Sequence, residues 1–190
     1  DDLVAMTIVS DNYKAGVLCA KEMMRQKKQA NIVLLTHKAA RSAVDRINGF
    51  LDTIKGHGTY NIVARKDSLG QTEIAMIQVN EVIKSGVSFD TVMALNDQVA
   101  IGALAAIENN RYLQPVTIYG VDGSPDMKTL LSTTHSIQAT VAQSPITIGK
   151  KAIEAGYQLY GGKTINKEII VPVSLVTSDN ISDFDLAGWQ

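Results

Sequence analysis

Five polar side chains, Ser10, Arg46, Asn96, Asp122 and Gln143, stand at or near the carboxyl ends of predicted strands in this 190-residue chain. Asparagine, aspartate, arginine and glutamine carry planar groups that bind neighbouring hydroxyls bidentately. Each residue also has a plainer reading. Asn96 or Asp97 before a helix caps it, Asp122-Gly123 makes a turn, and a lone arginine such as Arg46 is a solvated helix residue. The ligand reading gains weight because these residues recur at one rim of one sheet. Ligands of open α/β sheets bind at that rim, outside the carboxyl ends of the strands.

Catalytic signals fare worse. The chain has no P-loop, no dinucleotide fingerprint after its first strand, no Gly-x-Ser-x-Gly elbow and no His-Glu-x-x-His. Gly120-Val-Asp-Gly123 is too short and too acidic to cradle phosphate. Asp97 and Asp122 could form a carboxylate pair for glycoside hydrolysis, but the helix after Asn96 should turn Asp97 towards a cap. Cys19, the single cysteine, excludes an internal disulfide and a thiolate zinc site. It reads as a small buried hydrophobe on a helix. His37, His57 and His135 lie in or next to loops. The expectation is a binding protein with no catalytic residue, no metal and no cofactor.

The elements that must position these residues alternate. Strands are predicted over Leu3–Val9, Asn31–Leu35, Asn61–Ala64, Thr91–Leu95, Val116–Tyr119, Ile137–Ala142 and Ile169–Val176. Helices are predicted over Tyr13–Lys28, Ala43–Lys55, Thr72–Lys84, Gln98–Asn109, Pro125–Leu131 and Pro145–Tyr160. Continuously apolar strands, each followed by a helix, give the fold class: α/β, an open parallel sheet with helices on both faces. Ser144-Pro145 has the form of a helix start. Gly56, Gly86 and Gly161-Gly162 stand where helices end.

Composition sets the outer bounds. The chain is 45% hydrophobic and 19% charged, with 18 Lys plus Arg against 19 Asp plus Glu. A net charge of -1 offers no general field for nucleic acid or an acidic membrane, so no nucleic-acid partner is expected. No apolar run approaches the roughly 20 residues of a membrane helix. Neither a signal peptide nor a lipid-attachment cysteine opens the chain, which suggests a mature or trimmed chain, or a fragment.

Five stretches then carry a resemblance: Ser10-Asp-Asn-Tyr-Lys-Ala-Gly16, Asp45-Arg-Ile-Asn-Gly-Phe50, Ala94-Leu-Asn-Asp-Gln-Val-Ala-Ile-Gly-Ala103, Gly120-Val-Asp-Gly-Ser-Pro-Asp126 and Ala139-Thr-Val-Ala-Gln-Ser-Pro145. In this order and spacing the chain resembles the periplasmic sugar-binding proteins of bacterial ABC transporters, of the type I ribose/galactose-binding family. The resemblance implies two α/β lobes joined by three crossing segments that close around a monosaccharide. It implies Arg46, Asn96, Asp122 and Gln143 as sugar contacts, with Ser10 near the hinge. It makes residues 1–143 the C-terminal lobe, and 144–176 a helix and strand of an N-terminal lobe that this sequence lacks. Residues 177–190 would form a tail returning to the C-terminal lobe.

The implied partners are the sugar and the membrane permease. The implied location is periplasmic, or extracellular with a lipid anchor in a Gram-positive organism. Without the other lobe, helix Pro145–Tyr160 should fold over this lobe or dock on a neighbouring copy, a domain-swapped dimer being one outcome. The loop Asp67-Ser-Leu-Gly-Gln71 lacks the aromatic that ribose binders of the family carry there. Trp189 has two readings, stacking on a carbohydrate or pinning the tail to the lobe. The alternatives to a transporter component are the effector-binding core of a lactose-repressor-type regulator and a sugar-sensing receptor ectodomain. The segment Val171–Gln190 looks like the transporter group.

Overall fold

The computed structural model describes residues 3–189; Asp1, Asp2 and Gln190, the outer ends of the expected lobe and tail, lie outside the described residues. The elements are β1 (Thr7–Ser10), α1 (Asn12–Gln26), β2 (Ala30–Thr36), α2 (Arg41–Ile54), β3 (Tyr60–Asp67), α3 (Thr72–Lys84) and β4 (Thr91–Ala94). They continue with α4 (Asp97–Asn109), β5 (Thr117–Asp122), α5 (Pro125–Thr133), β6 (Ile137–Ala142), α6 (Pro145–Tyr160), β7 (Glu168–Val171) and β8 (Ser174–Thr177).

The main sheet has the order β3-β2-β4-β5-β6-β8. Its first five strands run parallel, and β8 closes the edge antiparallel to β6. Ile32–Leu35 in β2 and Val92–Ala94 in β4 are buried without alternation, as strands covered on both faces must be. Helices α1 and α2 pack on each other, as do α3 and α4. Two glycines set the first of these contacts. A methyl group on Gly16 would overlap the Arg46 carbonyl, and one on Gly49 would overlap the Tyr13 carbonyl. The two backbones therefore touch at the level of Arg46.

The structure corrects the strand reading at both ends. The first strand is Thr7–Ser10 rather than Leu3–Val9, and it lies outside the main sheet. It pairs with β7 in a separate two-stranded sheet, Thr7 opposite Glu168 and Ser10 opposite Val171. Leu3 and Val4 have no ladder partner among the described residues and stay exposed. The single strand expected over Ile169–Val176 is two strands, β7 and β8, separated by Pro172-Val173. Proline lacks the N–H that a continued ladder needs, and here the chain changes sheets. Residues 174–176 thus sit in the main sheet.

Strand β3 runs on to Asp67 because edge strands tolerate charged residues such as Arg65 and Lys66. Strand β5 runs on to Asp122, which makes that residue the end of a strand. Three passages join the two sheets: after β1, after β6, and between β7 and β8.

Candidate functional site

Arg46 projects from the second turn of α2 and is buried. A buried guanidinium must find partners, and three elements supply them. Its Nε donates to Asn12 Oδ1 at 2.9 Å. Its Nη1 donates to the Leu95 carbonyl at 2.9 Å and to Asp122 Oδ1 at 3.2 Å. The group therefore ties α1, the end of β4 and the end of β5 together.

Asp122 is held from two sides. Its Oδ1 accepts from Gln143 Nε2 at 2.7 Å as well as from Arg46, and its carbonyl accepts from the Gln143 N–H at 3.0 Å. Oδ2 keeps contact with solvent, because the side chain is partly exposed. The Asp122 backbone has φ 142°, a conformation that costs a non-glycine residue about 1–3 kcal/mol. Gly123 follows with φ 70° against Ala142, where a side chain would collide. Burial is the largest influence on this carboxyl and raises it above its ordinary range, while Arg46, Gln143 and the Asp97 backbone pull it back.

Asp97 does not cap its own helix. It is fully buried, with Oδ1 accepting from Thr140 Oγ1 at 2.7 Å and Oδ2 from the Ser124 N–H at 2.8 Å. It thus fastens the turn after β5 to β6. Burial first, then the neighbouring Asp122 charge, push its carboxyl up to about 7. A carboxylate sealed in this way cannot reach a substrate, which removes the glycosidase geometry.

Asn96 is the cap of α4. Its Oδ1 accepts from the Val99 N–H at 2.9 Å, and its Nδ2 donates to the Gly70 carbonyl at 3.3 Å. It reaches the cluster through its neighbour Leu95 rather than directly. Ser10 ends β1 and is buried, and its Oγ has no partner among the described residues. Its carbonyl accepts from Asn12 Nδ2 at 3.0 Å.

Asn12 is therefore the residue that joins Ser10 to Arg46. The cap is Asp11, which accepts from the Lys14 N–H at 2.9 Å and leaves Asn12 free to bridge. An Asn one residue past a capping Asp was the available signal.

Two cavities flank the cluster. One of about 330 Å³ lies against Ser10, Asn12, Tyr13 and Arg41. The other, of about 360 Å³, is lined by Asp122, Gln143, Pro145, Ile148 and Trp189. Both fall at the low end of the roughly 300–1,000 Å³ range of small-molecule sites. The arrangement offers a carboxylate acceptor, amide and guanidinium donors and an apolar wall, the complement of a polyhydroxylated molecule.

A model of the periplasmic binding protein domain matches residues 1–164. The chain is 28% identical to the ribose import binding protein of Bacillus subtilis, over 92% of this chain and 56% of that protein. It is 27% identical to the D-apiose import binding protein of Paraburkholderia graminis, over 94% of this chain and 58% of the relative. Among solved structures, it superposes with a TM-score of 0.88 on the periplasmic binding protein component of the arabinose ABC transporter from Shewanella sp. ANA-3, bound to alpha and beta-L-arabinofuranose. That match is 25% identical and covers 96% of this chain and 62% of the other. The chain thus spans a little over half the length of these curated relatives.

Proposed function

The chain belongs to the family of periplasmic binding protein domains, and we propose that it is the sugar-holding lobe of a solute-binding protein serving an ABC-type importer. The observation that carries this is the Asp122 carboxylate. Arg46 and Gln143 fix one oxygen and leave the other open at the rim of the sheet. An acceptor held in this way meets two neighbouring hydroxyls without reorganising, which is what recognition of a monosaccharide requires. The relatives named for ribose and D-apiose import support the same ligand class. In this reading Arg46, Asp122 and Gln143 touch the sugar. Asn96 uses its remaining amide hydrogen, and Ser10 lies at the hinge. The protein binds and releases its ligand unchanged.

The second lobe would be built around the small sheet. Strands β1 and β7 with α6 are too few residues to enclose a core of their own. Among the residues of α6 only Ala155 is buried. Ile146, Gly149, Ile153, Gly156, Tyr157 and Tyr160 recur at helical spacing on one face, and the four apolar side chains among them are exposed. No atom comes near a methyl built on Gly149 or Gly156. We assign this face to contact with the other lobe. In the chain by itself the face would dock on a second copy, giving a swapped dimer that sedimentation would detect. Closure of the two lobes through the three passages produces the shape that a permease recognises. Such a protein works in the periplasm or at the outer cell surface, lipid-anchored where there is no outer membrane.

A thermal-shift screen of the full-length protein against monosaccharides and cyclic polyols tests the reading. A ligand at 100 times its Kd stabilises the folded state by about 2.7 kcal/mol, a clear rise in melting temperature. A screen in which no sugar shifts the transition would overturn it.

A further inference from the structure

Trp189, the chain's one tryptophan, lies beyond β8 on a tail with no regular structure after the turn at Ile181–Asp183. Lys128 fastens this tail. Lys128 on α5 is completely buried. Its ammonium donates to the Asp185 carbonyl, and to the Gly188 carbonyl at 2.7 Å. Its burial lowers its proton affinity, a cost that binding two carbonyls offsets. The tail is also folded on itself, because Asp185 Oδ1 accepts from the Ala187 N–H at 3.0 Å. The residue before Trp189 is therefore clamped to the body of the lobe by a contact that does not involve the indole.

The indole remains 46% exposed. Its N–H has no acceptor among the described residues, and the ring lines the cavity that holds Asp122 and Gln143. Among the described residues it is the only aromatic on that wall. We infer that Trp189 is a specificity-determining residue of the site, presenting its ring to the C–H face of a cyclic polyol whose hydroxyls are held by Asp122. This rests on the sugar-binding reading above. The physical basis is the indole's quadrupole, negative on its face, which attracts the weakly positive C–H hydrogens of a sugar ring while burying an apolar surface. Hydroxyl recognition by Asp122, Arg46 and Gln143 and face recognition by Trp189 are complementary. The first fixes the polar edge of the ring and the second its orientation. A ligand without a contiguous C–H face would gain from the first and not from the second. Lys128 enters as a positioning residue, acting through the tail.

Calorimetric titration of the full-length protein with D-ribose and with L-arabinose, in wild type, Trp189→Leu, Trp189→Phe and Lys128→Met, tests this. For whichever sugar binds, Trp189→Leu should weaken affinity by about tenfold at an unchanged melting temperature. Trp189→Phe, which keeps an aromatic face, should recover most of the loss. Lys128→Met should weaken binding although the indole is intact. The emission difference between wild type and Trp189→Phe should change on adding sugar. Wild-type affinity in Trp189→Leu would overturn the inference and leave the sugar reading standing. If wild type binds neither these sugars nor any other in the screening panel, the sugar reading falls and this inference with it.

Discussion

Asp122 concentrates the conflict between binding and stability in one residue. Its carboxylate is raised by burial, its backbone sits at φ 142°, and its side chain neutralises Arg46. Removing the side chain should therefore affect binding more than folding. Asp122→Ala is expected to lose about 2–4 kcal/mol of sugar affinity. Arg46 keeps Asn12 and the Leu95 carbonyl as partners, so stability should fall by less. Asp122→Gly loses the same affinity but also relieves the strained backbone, worth about 1–3 kcal/mol. That exceeds the roughly 0.5–1 kcal/mol by which glycine's freedom favours the unfolded chain. The glycine variant should thus melt above the alanine one. Calorimetry and melting curves on the two variants decide the matter, and an Asp122→Ala protein that binds normally but melts low would make Asp122 a turn residue only. Asp97 makes a separate prediction about pH. Its carboxyl is pushed up to about 7 in the folded protein, against about 3.9 in an unfolded chain. Below pH 4 both states hold the proton. As pH rises from 4 to 7 the unfolded chain releases it first, so folding loses stability over that window and no more above it. Asp97→Asn should flatten the fall in melting temperature between pH 5 and 7. Equal slopes in the two proteins would show that Asp97 ionises normally.

At the scale of the elements, the same substitution should have opposite effects in two helices. Alanine exceeds glycine in helix propensity by about 1 kcal/mol. In α1, a methyl on Gly16 would collide with the Arg46 carbonyl. Forcing two packed backbones apart costs about 1–3 kcal/mol or more, so Gly16→Ala should lower stability and, by moving Arg46, sugar affinity. In α6 a methyl on Gly156 meets open space, so in residues 1–190 Gly156→Ala should raise stability by about 0.5–1 kcal/mol. If α6 packs against the other lobe, the gain should vanish or reverse in the full-length protein. Chemical denaturation of both forms gives the comparison, and a gain of the same size in both would remove the assigned interface. The two α1–α2 glycines also show how the sequence could be read. Gly16 and Gly49 lie inside two of the stretches that carry the family resemblance, and the structure gives their common reason, close approach of α1 and α2 beneath Arg46. The helices were legible because their apolar spacing and caps are local. Ser144-Pro145 does start α6, and Ser144 Oγ accepts from the Thr147 N–H. The strands at the two ends of the chain were not, because their partners are distant: β1 is defined by β7, about 160 residues away, and β8 by β6. The candidate cluster divides the same way. Asp122 and Gln143 were visible at predicted strand ends, whereas Asn12 required knowing that Asp11 had taken the cap. Trp189 required the clamp formed by Lys128, a lysine nothing in the sequence marks as buried.

For the whole molecule, the question is how much one lobe can do. The main sheet and its helices enclose a complete core, and the cluster of Arg46, Asp122 and Gln143 is already assembled in it. The cluster forms without a second lobe; in the proposed reading, the second lobe would exclude water from it. Asp122 Oδ2 is open to solvent, and so is nearly half of Trp189. A hydrogen bond to a sugar in such an open site competes with water and gains little, whereas the same bond in a closed site of low local dielectric is stronger. A sugar held by this lobe alone would have its far side in water. Residues 1–190 alone should therefore bind sugar at about millimolar level or weaker, against about micromolar or tighter for the full-length protein, a difference of roughly 4 kcal/mol. The ranking of sugars should nonetheless be shared, because the hydroxyl contacts and the indole wall belong to this lobe. Calorimetry on both forms with one sugar panel measures both quantities. Micromolar binding by residues 1–190 would show that the second lobe is not needed for affinity. A reordered panel in the full-length protein would place specificity on the other lobe, and the cluster described here would then be a platform for the ligand rather than its reader.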